Sequence, residues 1–146
     1  MNKKKDVVTI FLGIDIAFII WITVLNRDIL SGVSVEYQPF HAFISALNSI
    51  RRGGLASNFL GNIILFIPVG FLLQLLIGKK KGCWVILIGS GFSLLIELVQ
   101  LLTHRGYFDL DDIMLNTLGT IMGIGLTRLI IILRRKLFVD TDKNSK

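Results

Sequence analysis

Four long apolar runs constrain this chain more than any other feature of its sequence. Each run approaches the ~20 residues that an α-helix needs to cross a hydrocarbon layer about 30 Å thick. Four buried helices of a soluble bundle would need polar outer faces, which these runs mostly lack. We therefore predict four transmembrane helices, at Val7–Leu25, Phe59–Ile77, Cys83–Leu102 and Ile113–Leu133.

The composition also favours a membrane protein. Hydrophobic residues make up 53% of the 146 residues and charged residues only 18%, whereas soluble domains carry about 25% charged residues. The first run resembles a secretory signal peptide, but Asp15 interrupts its core and no clear cleavage site follows Leu25. We expect it to be retained as a helix. The single cysteine, Cys83, excludes an internal disulfide bond and a cysteine-based metal cluster.

Basic residues are distributed unequally around the four runs. Eleven flank the ends that would share one side of the membrane, and four flank the other ends. The positive-inside rule then predicts that both termini are cytoplasmic. This placement explains the net charge of +6 without nucleic acid as a partner, because no recognition element accompanies the lysines. The eleven are Lys3, Lys4, Lys5, Lys79, Lys80, Lys81, Arg134, Arg135, Lys136, Lys143 and Lys146, and the four are Arg27, Arg51, Arg52 and Arg105.

A loop over Asn26–Asn58 joins the first two predicted helices and is too long to be a simple turn. Pro39 suits the first turn of a helix, and Gly53–Gly54 supplies a stop. Between them, apolar residues recur at helical spacing. We predict a short amphipathic helix that either lies in the outer membrane interface or packs as a cap over the bundle. The apolar residues are Phe40, Phe43, Ile44, Leu47 and Ile50.

These features together predict an all-α membrane protein. It has four transmembrane helices, a short interfacial helix in the long outer loop, and both termini in the cytoplasm. We expect one transmembrane domain over residues 1–138 and a polar cytoplasmic tail over residues 139–146. On the fourth helix, Gly119 and Gly123 form a small-x-x-x-small pair, which predicts close packing against another helix.

Polar residues recur every three or four positions near the outer ends of three predicted helices. At ~100° per residue, this spacing places the polar residues of each helix on one face. A charge near the bilayer centre costs at least ~2.5–3.5 kcal/mol, so these faces should turn inward and meet. The set comprises Asn62 on the second helix, Ser93, Glu97, Gln100 and His104 on the third, and Asp109, Asp112 and Asn116 on the fourth.

Two carboxyl groups are the candidate catalytic residues of this predicted pocket. Glu97 is a candidate general acid or base, assisted by Asp112. Its protonation state is left open, because burial and a nearby arginine have opposite effects on a carboxylate. If Arg105 pairs with Asp109 or Asp112, the cluster is instead a clamp that ties down the turn between the last two helices. Intramembrane polar networks also serve as structural glue between helices.

The remaining polar groups of the pocket are candidate ligand-binding residues. Their amides can donate and accept hydrogen bonds with a polar headgroup. No compact cation-binding loop is present, so we expect neither a metal ion nor another cofactor. The candidate ligand-binding residues are Asn62, Gln100, Arg105, Asp109 and Asn116.

Two further charges lie inside predicted spans. Asp15 is in the middle of the first helix, and Arg128 is near the cytoplasmic end of the fourth. Their depths are close enough for an ion pair that would hold the two helices together. Alternatively, the Arg128 side chain extends to the membrane surface on its own.

The combination of these residues resembles the VanZ-like family. A glutamate is followed three residues later by a glutamine, then by an arginine before a short turn, then by D-x-x-D, and finally by an asparagine and a glycine. Upstream, Pro39-Phe40 and Asn62 with Phe66-x-Pro68-x-Gly70 resemble the same family. The resemblance extends from Pro39 to Gly125, and the first helix carries none of the motifs. The matching residues of the main motif are Glu97, Gln100, Arg105, Asp109, Asp112, Asn116 and Gly119.

The resemblance implies a small multi-pass protein of the bacterial cell membrane. It further implies a role in lowering susceptibility to teicoplanin-type glycopeptide antibiotics, without supplying a mechanism. The expected partners are membrane lipids, together with a lipid-linked cell-wall precursor or the antibiotic itself. The oligomeric state is left open, and so is the question of catalysis.

Three hypotheses for the function follow from these observations. In the first, the outward-facing pocket binds or chemically alters an envelope lipid or a lipid-linked cell-wall precursor. In the second, the protein is a non-enzymatic interaction or scaffold protein that works through helix packing. In the third, it is a small transporter or lipid flippase with Glu97 as the carrier. The third ranks last, because the inner halves of the later helices look apolar.

Overall fold

The computed structural model describes residues 3–29, 35–36, 40–52, 57–106 and 108–143. Four helices in this part of the chain are long and apolar enough to cross a membrane, which confirms the four predicted spans. A fifth, shorter helix lies in the long loop, as predicted. The helices are α1 (Lys3–Ile20), α2 (His41–Arg51), α3 (Ser57–Ile77), α4 (Gly82–Leu102) and α5 (Leu110–Lys143), and a π-helical turn (Trp21–Leu25) extends α1.

The boundaries of α5 differ from the predicted span. The helix begins at Leu110, so Asp111 and Asp112 lie in its first turn, where acidic side chains interact favourably with the helix dipole. It continues to Lys143, across the expected boundary between the membrane domain and the tail at residue 138. Because α5 begins inside the D-x-x-D motif, the carboxyl groups of Asp111 and Asp112 lie next to the turn that follows α4.

The closest helix packing joins α3 to α5. A Cβ atom at Gly119 would overlap the carbonyl oxygen of Ile63, and one at Gly123 would overlap that of Ile67. The same holds for a glycine of α3: a Cβ atom at Gly70 would overlap the backbone of Thr120 on α5. The predicted small-x-x-x-small contact is therefore confirmed, and its partner is α3.

Helix α1 also packs against α3. Ile19 and Val24 join Phe66 and Val69 of α3 and Ile96 of α4 in one apolar cluster. Asp15 lies one turn before Ile19 and is half-buried, and its Oδ2 atom has no hydrogen-bond partner among the described residues.

The proposed pairing of Asp15 with Arg128 is not observed. Neither residue takes part in an ion pair with the other described side chains. The Nη2 atom of Arg128 instead lies 2.9 Å from the position that a Cβ atom at Gly82 would occupy. Arg128 thus extends toward the end of the bundle that carries Lys79–Lys81, which agrees with the alternative that it reaches the membrane surface.

Two very short strands, which the sequence did not predict, connect the long loop to the turn after α4. Strand β1 (Val35–Glu36) pairs in parallel with β2 (Phe108–Asp109), with Val35 opposite Phe108. Two residues are too short to leave an alternating pattern in the sequence. We use the term α2 end for the end of the bundle where these strands and α2 lie.

Helix α2 keeps its apolar side chains exposed. Phe43, Ile44, Leu47 and Ile50 are all exposed, and Ala46 is its buried residue. A cap over the bundle would bury this face, whereas a helix in the membrane interface needs it exposed. The exposure thus favours the interfacial alternative. Pro39 and Gly53–Gly54, predicted to start and stop this helix, lie outside the described residues.

Candidate functional site

Polar side chains from α3, α4 and α5 meet inside the bundle near the α2 end. Glu97 and Gln100 of α4 are 2% and 1% exposed, and Asn116 of α5 is 6% exposed. Asn62 of α3 and Asp112 of α5 are half-buried beside them. Glu97 lies about 8 Å below the end of α4, at 1.5 Å per residue. The structure therefore brings the predicted polar faces together within the membrane-spanning part of the molecule.

Glu97 connects α4 to the start of α5. Its Oε2 atom accepts a hydrogen bond from the backbone N–H of Asp109, at 2.8 Å. The Asp109 side chain in turn accepts a hydrogen bond from the backbone N–H of Asp111, also at 2.8 Å. The turn after α4 is thus folded over the Glu97 carboxyl group.

Asp112 and Asn62 form the contact between α5 and α3. The Nδ2 atom of Asn62 donates a hydrogen bond to Oδ1 of Asp112. One turn deeper, Nδ2 of Asn116 donates to Oγ of Ser93 at 2.8 Å, which joins α5 to α4. Each of these residues was predicted to face the pocket, and only the packing of the helices shows which pairs form.

Gln100 reaches from α4 to the end of α1. Its Nε2 atom donates a hydrogen bond to the backbone carbonyl of Thr23, in the π-helical turn, at 2.9 Å. Its Oε1 atom is buried without a partner among the described residues, and so is Oδ1 of Asn116. These two amide oxygens are enclosed acceptors that the described part of the chain does not use.

Arg105 holds the end of α1 against the turn after α4. Its Nη1 atom donates to the backbone carbonyls of Leu25 and Arg27, both at 3.1 Å. The Leu25 carbonyl lies at the end of a helix and lacks a partner within it, so the bond from Arg105 satisfies that group. Arg105 thus binds the loop after α1, a partner that was not among the predicted ones.

Arg27 is a residue of the site that the sequence did not reveal. Its positive charge acts on both Glu97 and Asp112. Its Nη1 atom and Oε1 of Gln100 each lie 3.1 Å from the position that a Cβ atom at Gly106 would occupy. Because Arg27 lies in the long loop, far along the chain from α4, no spacing could indicate this approach.

His104 does not belong to the polar face, contrary to the sequence prediction. Helix α4 ends at Leu102, and His104 follows it with a left-handed φ of 55° and an exposed side chain. The helical spacing that placed it beside Gln100 does not apply beyond the last turn. The polar face of α4 therefore ends at Gln100.

Asp111, which the sequence analysis passed over, fastens α2 to α5. Its two carboxyl oxygens accept hydrogen bonds from the backbone N–H groups of Phe40 and Ala42, at 2.8 and 2.7 Å. Asp111 is 4% exposed. These bonds cap the first turn of α2 from another helix and hold Phe40 in a left-handed conformation with φ of 66°.

The chemistry of the site is that of carboxyl and amide groups. In the described part of the chain, no group of three or more His, Cys, Asp or Glu residues is placed to hold a metal ion. The side chains can bind a polar headgroup by hydrogen bonds, and Glu97 and Asp112 can exchange protons with a bound molecule.

The fold and the site define a multi-pass membrane protein with a buried cluster of polar side chains at one end of its bundle. Within this class, the chain belongs to the VanZ/LLP1 family, whose family model matches residues 7–133. The match includes α1, which carries none of the motifs, and it confirms the resemblance based on α3, α4 and α5. No curated protein and no solved structure gives a significant match.

Proposed function

We propose that the pocket binds an envelope lipid or a lipid-linked cell-wall precursor, and that this binding lowers susceptibility to teicoplanin-type glycopeptides. The observation that carries the proposal is the convergence of buried Glu97, Gln100 and Asn116 inside the bundle, where Oε1 of Gln100 and Oδ1 of Asn116 have no hydrogen-bond partner among the described residues. A network that served only to hold helices together would satisfy its buried polar groups internally. Acceptors that the described residues leave unused can bond to the hydrogen-bond donors of a ligand.

The surroundings of the pocket fit a lipid ligand. The positive-inside rule predicts that the α2 end faces the outside, and a depth of about 8 Å places Glu97 near the headgroup level. Helix α2, with its exposed Phe43 and Leu47, is fastened to the same end by Asp111. A molecule in the outer leaflet would therefore approach the pocket along an apolar surface.

Each pocket residue has a role in this proposal. Asn62 orients Asp112, and Gln100 and Asn116 accept hydrogen bonds from the ligand. Arg27 supplies the positive charge at the rim. Glu97 and Asp112 would transfer protons in any chemical step on the bound molecule. The proposal requires binding, and it leaves catalysis as an additional property of the same two carboxyl groups.

Substitution of the two carboxyl groups tests the proposal. We expect Glu97→Gln and Asp112→Asn to abolish protection against teicoplanin, because each removes a carboxylate acceptor while keeping the side-chain shape. The measurement is the minimum inhibitory concentration of teicoplanin in a susceptible Gram-positive host that expresses each variant. Protein levels in the membrane are compared by immunoblot.

Asp6→Asn is the matched control, because Asp6 is an exposed carboxylate near the start of α1. It should protect as well as the wild type. Full protection by both Glu97→Gln and Asp112→Asn, at normal protein levels, would contradict the proposal.

The scaffold hypothesis receives less support from the structure. Under that hypothesis, bulkier residues at Gly119 and Gly123 would disrupt contacts with a partner, but both glycines contact α3 of the same chain. That face is therefore occupied and unavailable to a second protein. The transport hypothesis would need a continuous polar path below Asn116, and lipid scrambling by the pure protein in liposomes is the observation that would favour it.

A further inference from the structure

Arg128 lies at the surface of the bundle and has no partner within the described part of the chain. Its side chain is exposed and makes no hydrogen bond or ion pair with another described residue. The surface of α5 near it is apolar, since Leu126 and Leu129 are 42% and 52% exposed. A guanidinium group carries five N–H donors and stays charged in proteins. Arg128 therefore needs acceptors from outside the chain, supplied by water or by a ligand.

The guanidinium group of Arg128 lies beside the start of α4. Its Nη2 atom is 2.9 Å from the position that a Cβ atom at Gly82, the first residue of this helix, would occupy. Trp84 follows two residues later and is 60% exposed. Tryptophan is enriched where transmembrane helices pass through the headgroup layer, and two residues are only about 3 Å along a helix. The guanidinium group is thus placed close to the level of lipid headgroups.

Further positive charges lie at the same end of the bundle. Three lysines form the turn immediately before Gly82, and three more begin α1, whose other end contacts Gln100 at the α2 end. In these two described segments, Asp6 is the single acidic residue. The lysines are Lys3, Lys4, Lys5, Lys79, Lys80 and Lys81, and all are exposed. We use the term lysine end for the exposed surface that these lysines form with Arg128 and Trp84. Its positive charge attracts anionic headgroups.

We propose that the lysine end binds an anionic phospholipid, with Arg128 as the residue that bonds to its phosphate group. A guanidinium group presents two parallel N–H donors that match two phosphate oxygens, and the lysines favour a headgroup with net negative charge. The exposed side chains of Leu126 and Leu129 would contact the acyl chains, which favours a phospholipid over a soluble phosphate compound. This lipid site lies at the opposite end of the bundle from Glu97 and does not depend on the proposed function.

The test measures lipid retention by the purified full-length protein. The protein is mixed in detergent with equal amounts of phosphatidylglycerol and phosphatidylcholine that have the same acyl chains, and native mass spectrometry counts the lipids that stay bound. We expect about tenfold better retention of phosphatidylglycerol, because basic residues near a membrane attract anionic lipid. Equal retention of the two lipids would overturn the inference. A rise in Tm with inorganic phosphate as large as the rise with phosphatidylglycerol would overturn the assignment to a lipid.

Single substitutions assign the preference to Arg128. Arg128→Gln should lower the preference for phosphatidylglycerol about fivefold, the effect of one basic residue near a membrane, whereas Arg128→Lys keeps the charge and should retain most of it. Arg51→Gln is the matched control, because it removes the same charge from an exposed arginine at the end of α2. Equal losses in Arg128→Gln and Arg51→Gln would show an effect of net charge alone and would contradict the proposal.

A pair of substitutions in the exposed turn tests the same surface if Arg128→Gln does not fold. The double variant of Lys79→Gln and Lys80→Gln should lose the preference for phosphatidylglycerol. The double variant of Arg51→Gln and Arg52→Gln, which removes two exposed charges at the α2 end, should keep it. A loss confined to the lysine pair supports the proposal, and similar retention by the two double variants rejects it.

Discussion

The buried polar residues each join two segments of the molecule. Glu97 joins α4 to β2, Gln100 joins α4 to the π-helical turn, and Asn62 joins α3 to α5. Hydrogen bonds of this kind inside membranes contribute only ~0.6 kcal/mol on average. Their main effect is therefore to hold the pocket side chains in place, which is what a ligand site needs.

Asp111 supports a prediction at the scale of single residues. Replacing Asp111 by Ala removes both acceptors that cap the first turn of α2. We expect a loss of roughly 0.5–2 kcal/mol, the usual cost of a missing helix cap, concentrated in α2. Hydrogen exchange of residues 41–51 should become faster in this variant. Asp28→Ala is the control, since Asp28 is exposed in the long loop that also contains α2. Equal exchange rates of α2 in both variants would show that Asp111 does not hold α2.

At the scale of secondary-structure elements, the α3–α5 contact positions the pocket. It brings Asn62 opposite Asp112 and depends on glycines that permit close approach of the two backbones. The sequence predicted that Gly119 and Gly123 would contact a helix. It could not identify α3 as that helix, because the partner is chosen by the shapes of both surfaces.

Gly123 and Gly125 allow a controlled test of this contact. A methyl group at Gly123 would overlap the backbone of α3, whereas one at Gly125 meets nothing within 4 Å. We expect Gly123→Ala to lose about 1–3 kcal/mol of stability through overpacking, and Gly125→Ala to retain wild-type stability. Unfolding of the purified protein in detergent, followed by circular dichroism, measures both. Similar midpoints for the two variants would contradict the observed packing of α3 on α5.

At the scale of the whole molecule, the orientation in the membrane decides which molecules the pocket can meet. The positive-inside rule predicts that the α2 end lies outside. If the orientation were reversed, the pocket would face the cytoplasm, and an outer-leaflet lipid could not reach it.

Cysteine labelling tests this orientation. In a Cys83→Ser background, Thr103→Cys lies at the α2 end and Lys80→Cys at the opposite end, and both positions are exposed. We expect a membrane-impermeant maleimide to label Thr103→Cys on intact cells, and Lys80→Cys only after permeabilisation. The reverse pattern would rule out the proposed extracytoplasmic ligand.

The sequence by itself determined the four spans, the short helix and the polar faces of the last three spans. These properties depend on the local length and periodicity of apolar residues, because transfer into a bilayer is a nearly additive property of each segment. The tertiary structure decided the partners: Asp112 for Asn62, Thr23 for Gln100, α2 for Asp111, and Arg27 near Glu97. These contacts depend on how the helices rotate and pack against one another, and that arrangement is a joint property of distant parts of the chain.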